Sequence, residues 1–348
     1  MNRAVTRTLI GAAGAGLALG FALRRARLAD LSGQVVLITG GSRGLGLALA
    51  REFARLNCKI AICARDKSEL ESAREILERE EGAEAFAAPC DVTSKEQVDE
   101  LVKAVRSQFG GIDVLVNNAG MIRVAPVENL TIQDFEEAMA VMFWGVVYPT
   151  MAVLKEMRER GGGRIATIAS IGGKVSVPHL LPYCCAKFAA VGFCEGLRTE
   201  MSRHGVKVIT IAPGLMRTGS HLKAEFKGKQ HAEAAWFSLG ASLPMVSMSA
   251  ERAARQIVAA IRRGQAEKIL STQATLLARV NGAFPGLVPD LLGLVARVLP
   301  SDDAGGQSIL TGARAGEESG KIFKALTTLG RLAAERLNEL HTPASQTT

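Results

Sequence analysis

Residues 35–46, VVLITGGSRGLG, constrain this chain more than any other stretch: apolar and β-branched residues run straight into a glycine-spaced turn, and LALA follows at once. That order reads as a buried strand, a tight turn and a helix. Gly40, Gly44 and Gly46 remove side chains where the backbone has to bend, approach an anion and pack helix against strand. The helix start adds unpaired N–H groups and the positive end of its dipole, so the turn suits a phosphate. Ser42, Arg43 and Leu45 complete the turn, and Arg43 brings a cation to it.

The rest of the 348-residue chain, 48% hydrophobic and 22% charged, has the composition of a globular protein with a large core. Its formal charge of +8 is spread along the sequence, with no nucleic-acid-binding motif behind it. The local emphasis is at Arg3, Arg7, Arg24, Arg25 and Arg27, around the fifteen uncharged residues 9–23. Attraction to a membrane surface explains that cluster better than nucleic acid does. The apolar stretch falls short of the roughly 20 residues a straight spanning helix needs, and no clear A-x-A cleavage site follows it. It reads as an uncleaved shallow or marginally spanning anchor with the catalytic body on the cytoplasmic side. The alternatives are a Gly/Ala-rich helix docked on a cytoplasmic protein and a cleavable signal. Six cysteines, Cys58, Cys63, Cys90, Cys184, Cys185 and Cys194, fall inside predicted elements without metal-ligand spacing. They read as small buried hydrophobes, so no metal is expected.

Three regions follow: an anchor-like segment (1–30), a catalytic domain (31–272) and an apolar and helical extension (273–348). Within the second, strand patterns at 35–39, 59–64, 85–90, 114–116, 164–169, 206–211 and 268–271 alternate with helical ones at 44–56, 67–80, 94–109, 131–160, 182–204 and 250–263. The alternation predicts a doubly wound α/β fold of Rossmann type, with seven mostly parallel strands and helices on both faces. Residues 215–248 are less regular and read as a lid carrying Phe226, Trp236, Phe237 and Met245. Residues 274–300, rich in Leu and Val, either cover the body or dip into a bilayer surface. Residues 301–319 read as a flexible link, and 322–340 as a polar helix.

Two further groups carry chemistry. Arg43 and Arg65 place two cations where a ribose edge would pass, and the strand-end slot that would hold an acid for a free 2′-hydroxyl is Ala64. NADP(H) is therefore expected over NAD(H), although Asp66 stands next to Arg65 as a competing partner. Tyr183 and Lys187 are four apart in a helix and project from one face. A nearby cation stabilises a phenolate, which makes the pair a general acid and base. Ser170, at the end of the preceding strand, is placed to donate to a carbonyl oxygen as charge develops on it.

Over residues 31–271 the sequence resembles the short-chain dehydrogenase/reductase family. The TGxxxGxG turn is Thr39 to Gly46, the adenine-pocket element is Asp91-Val92, and NNAG is Asn117-Asn118-Ala119-Gly120. Ser170 stands thirteen residues before Tyr183, YxxxK is Tyr183 and Lys187, and Pro213-Gly214 is followed by Thr218. The resemblance implies reversible hydride transfer between nicotinamide C4 and a carbonyl carbon. In it Tyr183 exchanges the proton, Ser170 positions the oxygen, and Lys187 lowers the tyrosine pKa and holds the ribose. Asn118, Ala119, Gly120, Pro213, Gly214 and Thr218 would join the turn in holding the cofactor, Thr218 at the carboxamide. The resemblance also implies a homo-oligomer formed through the 131–160 and catalytic helices. One departure is Met142, where family members usually carry an asparagine. That residue holds a relay water largely through its backbone carbonyl, which methionine retains, so relay is expected to survive.

The apolar lid points to a lipophilic alcohol or ketone, steroid-, retinoid- or long-chain-acyl-like. The alternatives are a 3-oxoacyl-thioester reductase, which needs basic residues at the pocket mouth, and a cofactor-binding sensor that has lost turnover. His179, before the catalytic tyrosine, reads as a loop histidine. If residues 1–30 anchor the protein, sodium carbonate extraction leaves it in the membrane fraction; release of intact protein by salt alone overturns the anchor.

Overall fold

A computed structural model describes residues 28–244, 246–300, 306–317 and 327–340. The apolar stretch at 9–23 and its flanking arginines lie outside the described residues, as does Met245. In chain order the first half contains β1 (Val35–Thr39), α1 (Gly44–Ala54), β2 (Lys59–Ala64), α2 (Lys67–Glu81), β3 (Ala85–Pro89), α3 (Lys95–Phe109), β4 (Val114–Asn117) and the short β5 (Arg123–Val124). Then come α4 (Ile132–Met139), α5 (Gly145–Glu159), β6 (Gly163–Ile168), α6 (Leu181–Met201), β7 (Val206–Ala212), β8 (Met216–Arg217) and β9 (Glu225–Phe226). The remainder is α7 (Gln230–Ser242), β10 (Met248–Ser249), α8 (Ala250–Arg263), β11 (Glu267–Ile269), α9 (Thr272–Ala283), α10 (Leu287–Ala296), β12 (Leu310–Thr311), α11 (Gly312–Glu317) and α12 (Thr328–Arg336).

Seven strands form one sheet in the order β11-β7-β6-β4-β1-β2-β3, with every neighbouring pair parallel. The fold is the doubly wound Rossmann type, as the alternation of patterns predicted. A parallel sheet covered on both faces needs strands apolar on both sides, and all five residues of β1 are buried. One core layer joins Ile38, Leu49 and Ile62 to Leu77 of α2 and Ile257 of α8; the other joins Leu37 and Leu115 to Val105 of α3, Val153 of α5 and Leu197 of α6. Each fully buried Leu or Ile contributes about 1.5–3 kcal/mol relative to exposure. Strand order reverses between β1 and β4, which opens a crevice at their carboxyl ends, Thr39 and Asn117.

The helix expected at 131–160 begins on a capping box in which Thr131 N–H donates to Asp134 Oδ2 at 2.7 Å. It is interrupted by a π-turn over Ala140–Trp144 before α5 resumes. Gly145 follows the turn because a Cβ there would stand 2.8 Å from Val92 Cγ2. Ile132–Glu159 is also the one stretch among the described residues long and apolar enough to cross a membrane. It contributes Val153, Leu154 and Met157 to the core layer it shares with α3 and α6.

Three expectations for the later chain are corrected. The lid holds a regular helix, α7, besides β8 and β10, which pair in parallel. Residues 306–317 are ordered rather than a link: β12 pairs antiparallel with β9, and α11 buries Ala315 beside Phe226 and Phe237, apolar partners that a local reading does not reveal. Cys185 is exposed, while the other five cysteines are buried, and all six are free. The extension at 274–300 falls largely within α9 and α10, which bury Ala274 and Val288 and leave Leu276, Phe284, Leu287, Leu291 and Leu294 exposed, so much of its apolar surface is left uncovered.

Below the lid, Arg123 pairs with Asp134 at 2.5 Å and Glu225 at 2.5 Å, and Lys227 donates to Asp134 at 2.7 Å. This buried network ties β5 and β9 to α4; removing one partner of such a set strands a charge, at about 3–5 kcal/mol. One of the tightest backbone approaches lies in the glycine turn, where a Cβ on Gly46 would stand 2.0 Å from the Gly40 carbonyl oxygen. Gly46→Ala therefore forces the turn open and is expected to cost about 1–3 kcal/mol, read as a lowered Tm with weakened dinucleotide binding. An unchanged Tm would contradict the packing described.

Candidate active site

At the crevice, β1 and β4 are cross-linked through Thr39. Its Oγ1 accepts from the backbone N–H groups of Asn118 at 3.0 Å and Ala119 at 3.1 Å. The Asn118 side chain returns the tie, donating from Nδ2 to the carbonyls of Thr39 at 3.1 Å and Gly40 at 2.9 Å. Asn118 thus braces the glycine turn. Gly40 and Gly44 have φ of +62° and +55°, the left-handed region that a side chain penalises. Gly44, Leu45 and Gly46 open α1 on a cavity of about 930 Å³ that runs from Arg65 and Asp91, past the turn, to Tyr183 and Lys187. A glycine-walled cradle joined to a cavity of that size fits a dinucleotide.

The two expected cations differ in their surroundings. Arg65 is exposed on the cavity wall, and Asp66, instead of serving it alone, accepts from Ser68 N–H and Glu69 N–H as the N-cap of α2. Arg43 is engaged: Nη1 lies 2.6 Å from Glu69 Oε1 and Nε lies 3.2 Å from Glu339 Oε2. Glu69, almost fully buried, also accepts from Ser42 Oγ at 3.2 Å and faces Lys223 at 3.5 Å. Asp91 and Val92 line the cavity, Asp91 accepting from Thr93 N–H at 2.9 Å.

At the far end α6 brings Tyr183 and Lys187 to the cavity. Burial pushes the Tyr183 phenol up to about 12, while the neighbouring Ser170 hydroxyl acts the other way. Burial also pushes the Lys187 ammonium down to about 8. Lys187 Nζ donates to the Ile168 carbonyl at 2.8 Å and sits 5.7 Å from the centre of the Tyr183 ring. Ser170, at the end of β6, accepts from Gly172 N–H at 3.0 Å. Gly172 is small because a Cβ there would stand 3.1 Å from Tyr183 Cε1 and 3.4 Å from Ser170 Oγ. Met142 is buried on the π-turn, and a Cβ on Gly120 would lie 3.9 Å from its Cγ and 4.0 Å from Lys187 Nζ.

Thr218 is buried on the cavity wall, bonded through Oγ1 to Ser220 Oγ at 2.9 Å. Pro213 and Gly214 stand behind it: the Pro213 carbonyl accepts from Ile171 N–H at 2.7 Å, and Gly214 packs against Ser271 and Ala274. His179 faces away into the lid, its Nδ1 2.9 Å from Glu233 Oε1, and Trp236 Nε1–H donates to the same carboxylate at 2.7 Å. The sequence reading missed Thr39, Glu69, Lys223 and Glu339. Thr39 stood inside the quoted motif and was legible; the other three come to the site by tertiary packing. Among the described residues no cluster is suited to a metal.

The family model for the short chain dehydrogenases matches residues 34–227. Gluconate 5-dehydrogenase of Gluconobacter oxydans is 36% identical over 191 residues, 55% of this chain and 74% of that protein. A putative ketoacyl reductase of Streptomyces coelicolor is 38% identical over 193 residues, again 55% of this chain and 74% of that one. Among solved structures, a variant of actinorhodin polyketide ketoreductase with NADPH matches with a TM-score of 0.62 and 30% identity, covering 71% of this chain and 99% of that one.

The chain has two tyrosines, so phenol ionisation followed by ultraviolet absorbance, with Tyr183→Phe as the reference, isolates Tyr183. Ligand-free protein is expected to show Tyr183 still protonated at about pH 10. A phenolate forming near neutral pH would contradict the buried environment.

Proposed function

Because the chain belongs to the short-chain dehydrogenase/reductase family, and is an oxidoreductase acting between a nicotinamide cofactor and a carbonyl or alcohol, we propose that it is an NADP(H)-dependent ketone reductase. The observation that carries this is the presence of Tyr183 and Lys187 on the wall of the cavity that begins at the glycine turn, with the Ser170 hydroxyl against Tyr183. NADPH accompanies the actinorhodin relative, and Ala64 leaves no acid at the strand end to prefer a free ribose hydroxyl. The backbone of Gly40, Ser42, Gly44, Leu45 and Gly46 would hold the phosphates, with Arg43 and Arg65 at the 2′-phosphate and Asp91-Val92 at the adenine. Asn118, Ala119, Gly120 and Thr218 would border the nicotinamide half, with Pro213-Gly214 behind Thr218.

When bound, NADPH supplies the hydride. Tyr183 then gives its proton to the carbonyl oxygen, and a phenol whose pKa is held up by burial is in the required form throughout the neutral range. Ser170 steadies the oxygen as charge develops. Lys187, beside the ring and low in pKa, returns a proton to Tyr183 and offers its ammonium to the ribose. In the reverse direction Tyr183 accepts the alcohol proton, which favours oxidation at alkaline pH.

For the substrate we favour a 3-oxoacyl chain. Lys223 stands at the cavity wall as a basic group for a carrier phosphate, while Met121, Ile122 and Val141 offer an apolar wall for the acyl part. The ketoacyl and polyketide relatives support this reading over a free steroid- or retinoid-like ketone, which rests on the apolar wall alone. The gluconate relative makes a polyol the comparison that counts. Membrane association remains a proposal resting on residues 1–30 and the exposed leucines of α9 and α10.

NADPH oxidation measured against acetoacetyl-coenzyme A, a steroid ketone and L-sorbose is expected to rank the thioester first, with kcat/KM ahead by about tenfold or more. Tyr183→Phe is expected to lower kcat by at least about 10²-fold with NADPH binding retained. A preference for sorbose overturns the acyl reading. Tight NADPH binding with no turnover on any ketone identifies a sensor instead.

A further inference from the structure

The phosphate cradle is filled by the chain's own C-terminal segment. Ala333 of α12 and Leu337 just beyond it insert into the core layer that holds α1, which carries residues 337–339 across the glycine turn. Gly44 N–H donates to the Leu337 carbonyl at 2.8 Å. Asn338, with φ of +59°, donates from Nδ2 to the carbonyls of Ser42 and Glu69, each at 3.0 Å, and accepts from Ser72 Oγ at 3.1 Å. Glu339 pairs with Arg43, and its Oε1 lies 2.6 Å from where a Cβ on Gly44 would stand. The bare face of Gly44 is what a pyrophosphate needs, and Arg43 is what a 2′-phosphate needs.

We propose that Leu337–Glu339 is an intramolecular ligand of the phosphate cradle: a carbonyl and a carboxylate take the places of dinucleotide phosphate oxygens, and cofactor binds when the segment withdraws. The proposal rests on the reading of the turn as a dinucleotide site. Two observations separate it from ordinary packing of a tail. Glu339 is only 4% exposed, its Oε2 faces Arg43 Nε at 3.2 Å without an aligned hydrogen bond, and burial pushes its carboxyl up to about 7, so the cradle holds a carboxylate whose charge is incompletely compensated. A phosphate brings more acceptor oxygens and more charge to the same N–H groups and guanidinium, and so can outcompete it. The helix that delivers the segment is also wedged under the lid: Gly219 has no room for a Cβ against Ala334, and Gly330 none against Ser242 and His221. Withdrawal of the segment therefore loosens the lid edge in the same movement.

The test compares the full chain, a chain ending at Leu326, and Glu339→Gln, which keeps the apolar packing of α12. Affinity for NADPH is read by its fluorescence, and exposure of the C-terminal segment by limited proteolysis. Truncation is expected to tighten Kd for NADPH about tenfold, the value for a cradle about 90% occupied by its own tail, and Glu339→Gln is expected to tighten it by a smaller factor. Saturating NADPH, or inorganic pyrophosphate alone, is expected to speed cleavage of the segment in the full chain. Unchanged or weakened NADPH affinity in both variants, or protection of the segment by NADPH, makes residues 337–339 a wall of the site and overturns the proposal while leaving the cofactor reading intact. If no form binds NADPH or NADH, the dinucleotide reading falls and takes the proposal with it.

Discussion

The site depends on how closely two backbones pass at the reversal of strand order. Thr39 Oγ1 accepts two N–H groups from the start of the Asn118–Gly120 loop, and Asn118 binds two carbonyls at the start of the glycine turn. Those four bonds satisfy polar groups that the parallel ladder leaves behind where β1 and β4 end, and they fix the gap between the loops. With the gap fixed, α1 points its N-terminus into the crevice and Gly120 leaves space next to Lys187. Both ends of the cavity are thus set by one crossing, which is why the glycine turn and the Tyr183–Lys187 pair stay in register although far apart in sequence.

What could be read in the sequence is what local backbone geometry or periodicity enforces. The glycine turn was legible because positive φ at Gly40 and Gly44 and the contact at Gly46 leave few alternatives. Tyr183 and Lys187 were legible because four-residue spacing puts both on one helix face. The π-turn was not, since a shifted hydrogen-bond ladder has no residue-type signature, and a plain helix was expected through Met142. Nor were residues 306–317, whose partners Phe226 and Phe237 sit in a lid that itself looked irregular.

The partners of Arg43 show a different limit. Read locally, it is a solvated cation waiting for a phosphate; in the fold it meets Glu69 from the first turn of α2 and Glu339 from the far end of the chain. The bond between Ser42 and Asn338 spans 296 residues, a separation at which no pattern in a single sequence pairs them. Charge counting along the chain therefore finds the cation and leaves open what neutralises it.

The π-turn at Ala140–Trp144 acts as a phase shifter. One extra residue in a helix rotates everything beyond it by about 100°, so α4 and α5 present faces that an uninterrupted helix of the same sequence could not present together. The first directs Asp134 into the ion network under the lid, and the second directs Val153 and Met157 into the core against α3. Deleting one residue here would leave composition and helix length almost unchanged, yet would turn one of those faces to solvent. In this stretch, the count of residues matters as much as their chemistry.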